Sequence, residues 1–170
     1  MCPAPAPSRP TTTAIEARRL VLDDLGATRA LGARLASLLR AGDLVRLEGD
    51  LGAGKSELAR AVIRARAGAL IEVPSPTFTL VQGYPLADLT ILHADLYRLA
   101  APEEVLELDL IDMLDECAVL VEWPVRADGM LPETGLRIAL THGSGTARTA
   151  SVSLVDERFA SRLDELTRED

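Results

Sequence analysis

One glycine-rich loop constrains the fold of this chain more than any other feature of the sequence. Residues Gly49 to Ser56 read GDLGAGKS and match the phosphate-binding pattern G-x-x-x-x-G-K-[ST] at every fixed position. The apolar stretch 43–49 predicts a short strand before the loop, and residues 54–67 predict a helix that ends at Gly68. In this arrangement backbone N–H groups and the positive end of the helix dipole face a phosphate. The chain is therefore expected to fold around a phosphate-binding loop.

The lysine of this loop stands out against the composition of the chain. The sequence contains seventeen arginines and one lysine, and that lysine is Lys55. A guanidinium is planar and too wide to act as a point charge inside a tight phosphate loop, whereas an ammonium group is compact. We therefore expect Lys55 to contact the β and γ phosphates of a nucleotide, and the Ser56 hydroxyl to bind magnesium.

Strand and helix patterns alternate through the first part of the chain, and strands dominate its end. Strands are predicted at 18–24, 89–97, 117–123, 135–142 and 148–155, and helices at 27–40 and 101–114. The segment 73–84 begins as a proline-braced turn and continues as a strand that pairs with 89–97 in a hairpin. The last two strands are expected to form an antiparallel pair. These patterns predict an α/β fold, a P-loop NTPase-like three-layer sandwich with a mixed parallel and antiparallel central sheet.

A length of 170 residues suits one domain with one core. The proline-rich segment 1–16 predicts a flexible N-terminal tail, and residues 17–160 are expected to form a single P-loop domain. Residues 161–170 are rich in charge and predict a C-terminal tail.

Composition limits the partners and the compartment. A net charge of −8 argues against a protein that grips nucleic acid alone, so contact with RNA is expected only through a partner. The two cysteines have neither zinc-site nor disulfide spacing, which fits a reducing compartment. No apolar run reaches the ~18 residues of a membrane span, and no apolar signal core precedes the domain. A cytoplasmic protein without membrane contact is therefore predicted.

Two carboxylates are candidates for the magnesium side of the site, because a P-loop needs an acidic residue at the end of a buried strand. Glu122 ends the apolar run CAVLVE and Asp95 ends TILHAD. Glu122 is alternatively an ordinary strand-end carboxylate, and Asp95 is alternatively a helix cap or the partner of Arg98. His93 is expected to share the face of Asp95 as a structural histidine.

The segment SPTFT (75–79) places hydroxyls on a proline-stiffened turn. Such a segment is able to lay Thr77 against the γ-phosphate and magnesium, as switch loops do, or it is a polar turn before a strand. Trp123 follows Glu122 directly, and the sequence leaves open whether it faces a nucleotide, a partner or the core.

Four motifs in a fixed order carry a family resemblance: GDLGAGKS, SPTFTLV, HADLYRL, and VEWP followed by LP. Together they resemble the TsaE family, over about residues 20–155. The resemblance implies a bacterial cytoplasmic P-loop ATPase that binds ATP and Mg²⁺. It also implies a role in threonylcarbamoyladenosine modification of tRNA, together with TsaD and TsaB, with tRNA contacted only through that complex. Hydrolysis of Mg-ATP would drive cycling of the TsaD–TsaB complex, and the carbamoyl transfer itself would belong to the partners.

The resemblance also assigns roles to individual residues. Catalysis falls to Asp95, Lys55 and Glu122, and magnesium to Ser56 and Glu122. The implied nucleotide contacts are Leu25, Gly49, Gly52, Ala53, Gly54, Lys55, Ser56, Glu57, Thr77 and Arg148. Leu25 lies where the family touches the base, and Arg148 matches an arginine of the late strands.

The sequence departs from the family pattern at two places near the site. Glu57 follows Ser56 where the family often has threonine, which adds negative charge near the phosphates and predicts weaker nucleotide binding. Ala94 stands where the family often has phenylalanine, which predicts looser packing beside Asp95.

Two other functions fit a P-loop of this length. A small-metabolite kinase needs an acceptor pocket and an arginine-bearing lid, and the arginines after Glu122 are scattered among short strands. A nucleotide-gated binding module without useful turnover differs from an ATPase only in assay.

Overall fold

The computed structural model describes residues 17–168, so the tail predicted at 1–16 lies outside the described residues. The described chain contains a seven-stranded sheet flanked by helices. The strands are β1 (Arg18–Leu22), β2 (Leu44–Glu48), β3 (Val81–Pro85), β4 (Thr90–Asp95), β5 (Cys117–Glu122), β6 (Leu136–His142) and β7 (Arg148–Leu154). The helices are α1 (Leu25–Leu38), α2 (Lys55–Ala67) and α3 (Ala160–Leu166), and 3₁₀ turns lie at Pro102–Leu108, Pro124–Ala127 and Glu157–Phe159.

The sheet has the order β1-β7-β6-β2-β5-β4-β3 and is mixed, as predicted. Strands β6, β2, β5 and β4 run parallel at its centre. Antiparallel pairs complete the edges, with β3 against β4 on one side and β7 between β6 and β1 on the other. The hairpin of β3 and β4 and the antiparallel pair β6–β7 both agree with the sequence analysis. Because the carboxyl ends of parallel strands meet at one edge, the ends of β2, β4 and β5 lie side by side there.

Strand-end side chains are brought together by the register of the parallel strands. Asp95, the last residue of β4, is paired with Glu122, the last residue of β5. Glu122 in turn is paired with Leu47 of β2, one residue before the strand ends and the glycine loop begins. The register therefore places both predicted carboxylates near the glycine loop.

The two faces of the sheet are covered in different ways, which completes the three layers. On one face α1 and α2 share a core with sheet residues such as Val45 and Leu47 of β2, and α3 packs against α1. On the other face a 3₁₀ turn and irregular turns between β4 and β5 cover Leu44 and Val119. Among residues 17–168 no helix is both long and apolar enough to cross a membrane.

The α-helix predicted at 101–114 is wrong. The chain forms a 3₁₀ helix at Pro102–Leu108, and Asp109 then adopts a left-handed backbone conformation with φ of 55°. A non-glycine residue with positive φ interrupts the α-helical hydrogen-bonding ladder. Val105, Leu110 and Leu114 are the side chains that reach the core, so turns rather than a regular helix cover this face of the sheet.

The C-terminal segment belongs to the packed domain as far as the structure describes it. The sequence analysis assigned 161–170 to a charged tail, whereas Leu163 and Leu166 of α3 are buried in the core against α1. Arg162 is also buried and donates hydrogen bonds to both carboxylate oxygens of Asp43, at 2.6 and 2.8 Å. The charge in this segment therefore includes a buried ion pair and is not all on a solvated tail.

Candidate functional site

A cavity of about 340 Å³ opens where β2, β4 and β5 end. Its walls come from the glycine loop and the start of α2, from the SPTFT segment, and from the residues after β4 and β5. The lining residues are Leu51, Gly52, Gly54, Lys55, Ser56, Glu57, Ser75, Thr77, Asp95, Tyr97, Arg98, Glu122 and Trp123. Most of the residues predicted to hold phosphate, magnesium or catalytic roles therefore share one cavity.

The glycine loop has a backbone conformation that favours glycine at three positions. Gly49, Gly52 and Gly54 have φ values of 137°, 76° and 107°, which are positive and favour glycine. At Gly49 space is limiting as well, since a Cβ there would lie 2.3 Å from the carbonyl oxygen of Leu140 on β6. Ala53, within the loop, is fully buried. The loop thus packs closely on β6 and leads directly into the first turn of α2.

Lys55 is buried at the centre of the site, with 4 % of its surface exposed. Its Nζ donates hydrogen bonds to the carbonyl oxygens of Gly49 and Asp50, at 2.7 and 2.8 Å. The ammonium also lies 4.0 Å from the centroid of the Trp123 ring, within the range of a cation–π contact. Burial lowers the pKa of Lys55, and the nearby carboxylates, led by Glu122, oppose that effect. The loop therefore holds the ammonium within itself and beside the cavity.

Ser56, Glu122 and His93 form a connected polar group behind the cavity. The Ser56 hydroxyl donates to Oε2 of Glu122 at 2.8 Å, and Nε2 of His93 lies 2.8 Å from Oε1 of the same carboxylate. Glu122 is 2 % exposed and His93 is 1 % exposed, so the contact between these two side chains is buried, whereas Ser56 lies at the cavity wall. A hydroxyl and a carboxylate oxygen in contact are hard ligands of the kind that magnesium takes.

Asp95 is tied to the SPTFT segment. Its Oδ2 accepts hydrogen bonds from the hydroxyls of Ser75 and Thr77, at 3.3 and 3.2 Å. Its Oδ1 accepts from the backbone N–H of Tyr97 at 3.0 Å within a turn, since residues 96–101 form no helix. Among the described residues Asp95 therefore forms neither the helix cap nor the ion pair with Arg98 that the sequence left open, and its side chain lines the cavity.

Glu57 lines the cavity, and its carboxylate is paired with two arginines. It accepts a hydrogen bond from Nη1 of Arg60, one turn further along α2, and forms an ion pair with Nε of Arg29 on α1 at 3.5 Å. These two guanidinium groups offset the negative charge that the sequence analysis expected near the phosphates. Sequence reasoning missed them, because Arg29 lies 28 positions away and only the packing of α1 on α2 brings it near.

The rim of the cavity contains residues that the sequence analysis did not single out. The Tyr97 ring packs on Trp123 with centroids 5.0 Å apart, and Arg98 lies 4.5 Å over the ring of Phe78, which is largely exposed. Trp123 itself has a left-handed backbone with φ of 56°, a conformation that is rare and strained for a non-glycine residue. The signal for Tyr97 and Arg98 was their membership of the HADLYRL motif. The open question about Trp123 is answered in part, since its side chain faces the cavity.

Four of the expected nucleotide contacts lie outside the lining of the cavity: Gly49 and Ala53 belong to the glycine loop itself, whereas Leu25 and Arg148 lie on other elements. Leu25 is the exposed first residue of α1, which Asp24 caps by accepting from the N–H of Ala27. Arg148 begins β7 beside Leu22 and donates to the carbonyl oxygens of its own preceding turn. Leu25 remains a prediction for the base of a nucleotide, and Arg148 remains a prediction for a residue near the nucleotide.

The sheet and the loop together define an α/β protein of the P-loop NTPase-like class. Residues 22–150 match the family model described as threonylcarbamoyl adenosine biosynthesis protein TsaE. The chain therefore belongs to the TsaE family, as its motifs predicted.

Individual relatives agree with this assignment. A tRNA threonylcarbamoyladenosine biosynthesis protein TsaE from Streptomyces coelicolor is 40% identical over 139 residues, which is 78% of this chain and 93% of that protein. The protein of that name from Rickettsia felis is 42% identical over 104 residues. That match spans 61% of this chain and 61% of the relative's own length.

The fold also has a solved counterpart. A crystal structure of YdiB from Bacillus subtilis superposes with a TM-score of 0.75 and 24% sequence identity, covering 92% of this chain and 98% of that one. This likeness supports the mixed-sheet α/β fold.

Proposed function

We propose that this protein binds and hydrolyses Mg-ATP in the biosynthesis of threonylcarbamoyladenosine in tRNA, in the cytoplasm. One observation carries the proposal: Lys55, Ser56, Asp95 and Glu122 converge on a single cavity at the mouth of a glycine loop. Membership of the TsaE family supplies the pathway.

The loop suits a phosphate chain for two reasons. Gly49, Gly52 and Gly54 have positive φ, which glycine adopts readily, and the loop leads into the N-terminus of α2, where free backbone N–H groups suit a phosphate. Lys55 is bonded to the loop carbonyls of Gly49 and Asp50 and forms no ion pair with a carboxylate among residues 17–168. Its ammonium is therefore available to pair with the β and γ phosphates.

Ser56 and Glu122 are the residues that would hold magnesium. Their oxygens already lie 2.8 Å apart, and within residues 17–168 no group of three or more His, Cys, Asp or Glu side chains could hold a metal by itself. This suits magnesium, which is usually held by one or two protein oxygens together with water and substrate phosphates. When bound, the ion supplies positive charge to phosphoryl oxygens.

Asp95 is the residue proposed to orient the attacking water and take its proton. It lies beside Glu122 at the end of the neighbouring strand, and it faces the same cavity. Catalysis of phosphoryl transfer consists mostly of positioning and charge stabilisation, so a fixed carboxylate at this place suits the role.

The proposed partners are TsaD and TsaB, with hydrolysis driving the cycling of their complex and tRNA contacted only through it. A net charge of −8 is unfavourable for direct binding of RNA. The three arginines after Glu122 that were weighed for the lid of a kinase all have partners away from the cavity. Arg126 donates to the carbonyl of Leu99, Arg137 pairs with Glu48, and Arg148 bonds its own turn.

The test is ATP hydrolysis by the whole chain, measured alone and with TsaD and TsaB. Slow release of phosphate by the chain alone, increased by the partners, is expected. Lys55→Ala serves as the matched control for contaminating activity. The proposal is contradicted if ATP neither alters partner binding nor is needed for repeated rounds of tRNA modification. Stoichiometric phosphorylation of a small metabolite would favour the kinase.

A further inference from the structure

His93 is a buried polar side chain that the proposed mechanism does not yet use. It lies on β4 two residues before Asp95, with 1 % of its surface exposed. Its Nε2 is 2.8 Å from Oε1 of Glu122, while its Nδ1 has no hydrogen-bond partner among the described residues. The only hydrogen bond of this buried side chain among the described residues is therefore the one to Glu122.

The contact fixes where the proton of the imidazole lies. An ionised carboxylate only accepts hydrogen bonds, so Nε2 must carry the proton and donate it to Glu122. In the neutral ring Nδ1 is then a bare acceptor. The opposite tautomer would bury an unpaired N–H at Nδ1 and set two lone pairs against each other at Glu122, which is costly in a dry site.

The two oxygens of Glu122 consequently have different partners. Oε1 is held by His93 from the β4 side, and Oε2 meets the Ser56 hydroxyl at the cavity wall. Without the histidine, only the Ser56 hydroxyl would restrain rotation of the carboxylate about its last torsion, which is a broad one.

We propose that His93 is a positioning residue that orients Glu122 so that Oε2 faces the magnesium position beside Ser56. This inference rests on the proposed Mg-ATP site and adds a residue to it. Partners of metal-ligating side chains commonly change metal affinity or activity by about 10–100-fold when removed.

The first experiment compares His93→Leu with His93→Gln. The amide N–H of glutamine is able to reach Glu122 as Nε2 does, whereas leucine fills space without a donor. ATP affinity is measured by calorimetry in magnesium and in chelator, with Trp123 fluorescence as a second signal. His93→Leu is expected to reduce the magnesium-dependent gain in ATP affinity roughly 10-fold or more, and to leave affinity in chelator unchanged. His93→Gln should retain most of the gain.

The controls separate this inference from the proposed function. His142→Gln, an exposed position on β6, should behave as the wild type. If the wild-type chain binds no ATP, or gains nothing from magnesium, the proposed function fails. If the wild type gains affinity and His93→Leu gains equally, or if Leu and Gln lose it equally, the positioning role is refuted.

A second measurement is independent of folding defects in the variants. The chain has two histidines, so ¹⁵N spectra of the imidazoles can be assigned with His142→Gln alone. The inference requires that His93 carry a proton on Nε2, the nitrogen that faces Glu122. A proton on Nδ1 with a bare Nε2 would overturn it.

Discussion

Replacing Arg162 with methionine is expected to lower the free energy of unfolding by about 3 kcal/mol. Arg162 and Asp43 are 7 % and 4 % exposed and share two short hydrogen bonds. Methionine keeps an apolar stem against Phe159 but leaves the Asp43 carboxylate buried without its partner, and breaking such a pair costs about 3–5 kcal/mol. We expect the lower end of that range, because the backbone N–H of Arg40 still donates to Asp43 at 2.7 Å.

Chemical denaturation at neutral pH, followed by circular dichroism, measures this loss. Arg158→Met is the matched control, because Arg158 is exposed and its Nε is as far as 3.4 Å from the carboxylate of Asp156. This substitution should lower the free energy of unfolding by less than about 0.5 kcal/mol. The double variant Asp43→Asn, Arg162→Met should recover part of the stability, because the unpaired charge is gone. ATP affinity should stay unchanged in all of these variants, because Asp43 lies before the first residue of β2 and the glycine loop lies after its last residue, at the opposite end of the strand.

The result decides whether the C-terminal segment is part of the domain. A loss below about 1 kcal/mol for Arg162→Met would match an exposed ion pair and would refute the docking of α3. A double variant no more stable than the single one would show that the loss comes from packing rather than from the stranded carboxylate.

Four further predictions concern the nucleotide site and its partners. Lys55→Ala should weaken ATP binding roughly 100-fold in an equilibrium titration, because the phosphates lose a charged donor. Glu122→Ala should keep much of the ATP affinity but slow magnesium-dependent phosphate release roughly 100-fold, and unchanged release would move the metal role to Asp95. Glu57→Thr should change ATP affinity less than about threefold, since two arginines already offset its charge, and a tenfold gain would contradict that balance. The isolated chain should bind tRNA weakly in a filter-binding assay, and salt should abolish the binding, whereas tight salt-resistant binding would argue for direct recognition.

Local patterns were sufficient to predict most of the elements of the fold. Apolar runs such as 117–123 predicted buried strands because a strand covered on both faces needs an uninterrupted apolar sequence. The α-helix predicted at 101–114 was wrong because the same apolar residues are also able to cover the sheet through turns. Its apolar residues suit a helical repeat, but the sheet face below it is covered by Val105, Leu110 and Leu114 through turns. A left-handed Asp109 is a tertiary outcome that helix propensity does not encode.

The candidate site was predictable where a residue's neighbours are close in sequence or at the end of a strand. The ends of β4 and β5 brought Asp95 and Glu122 together because parallel strands align their carboxyl ends. The contact of His93 with Glu122 joins residues 29 positions apart and follows from strand register, which a single sequence does not give. The same holds for Arg29 and Glu57, which meet only because α1 packs on α2.

The bonding of Asp95 gives a physical reason for partner-dependent turnover under the proposed function. Its Oδ2 accepts from two hydroxyls of the SPTFT segment, Ser75 and Thr77, so the two lone pairs of that oxygen are already engaged and are not available to a water molecule. The segment is also held at its far end, where Leu80 has a φ of 62° and its carbonyl accepts from the N–H of Asp95. Such a conformation costs roughly 1–3 kcal/mol and persists only while its surroundings enforce it. A partner that draws the segment away from Asp95 would therefore free the acceptor and release that strain together, without contacting the nucleotide.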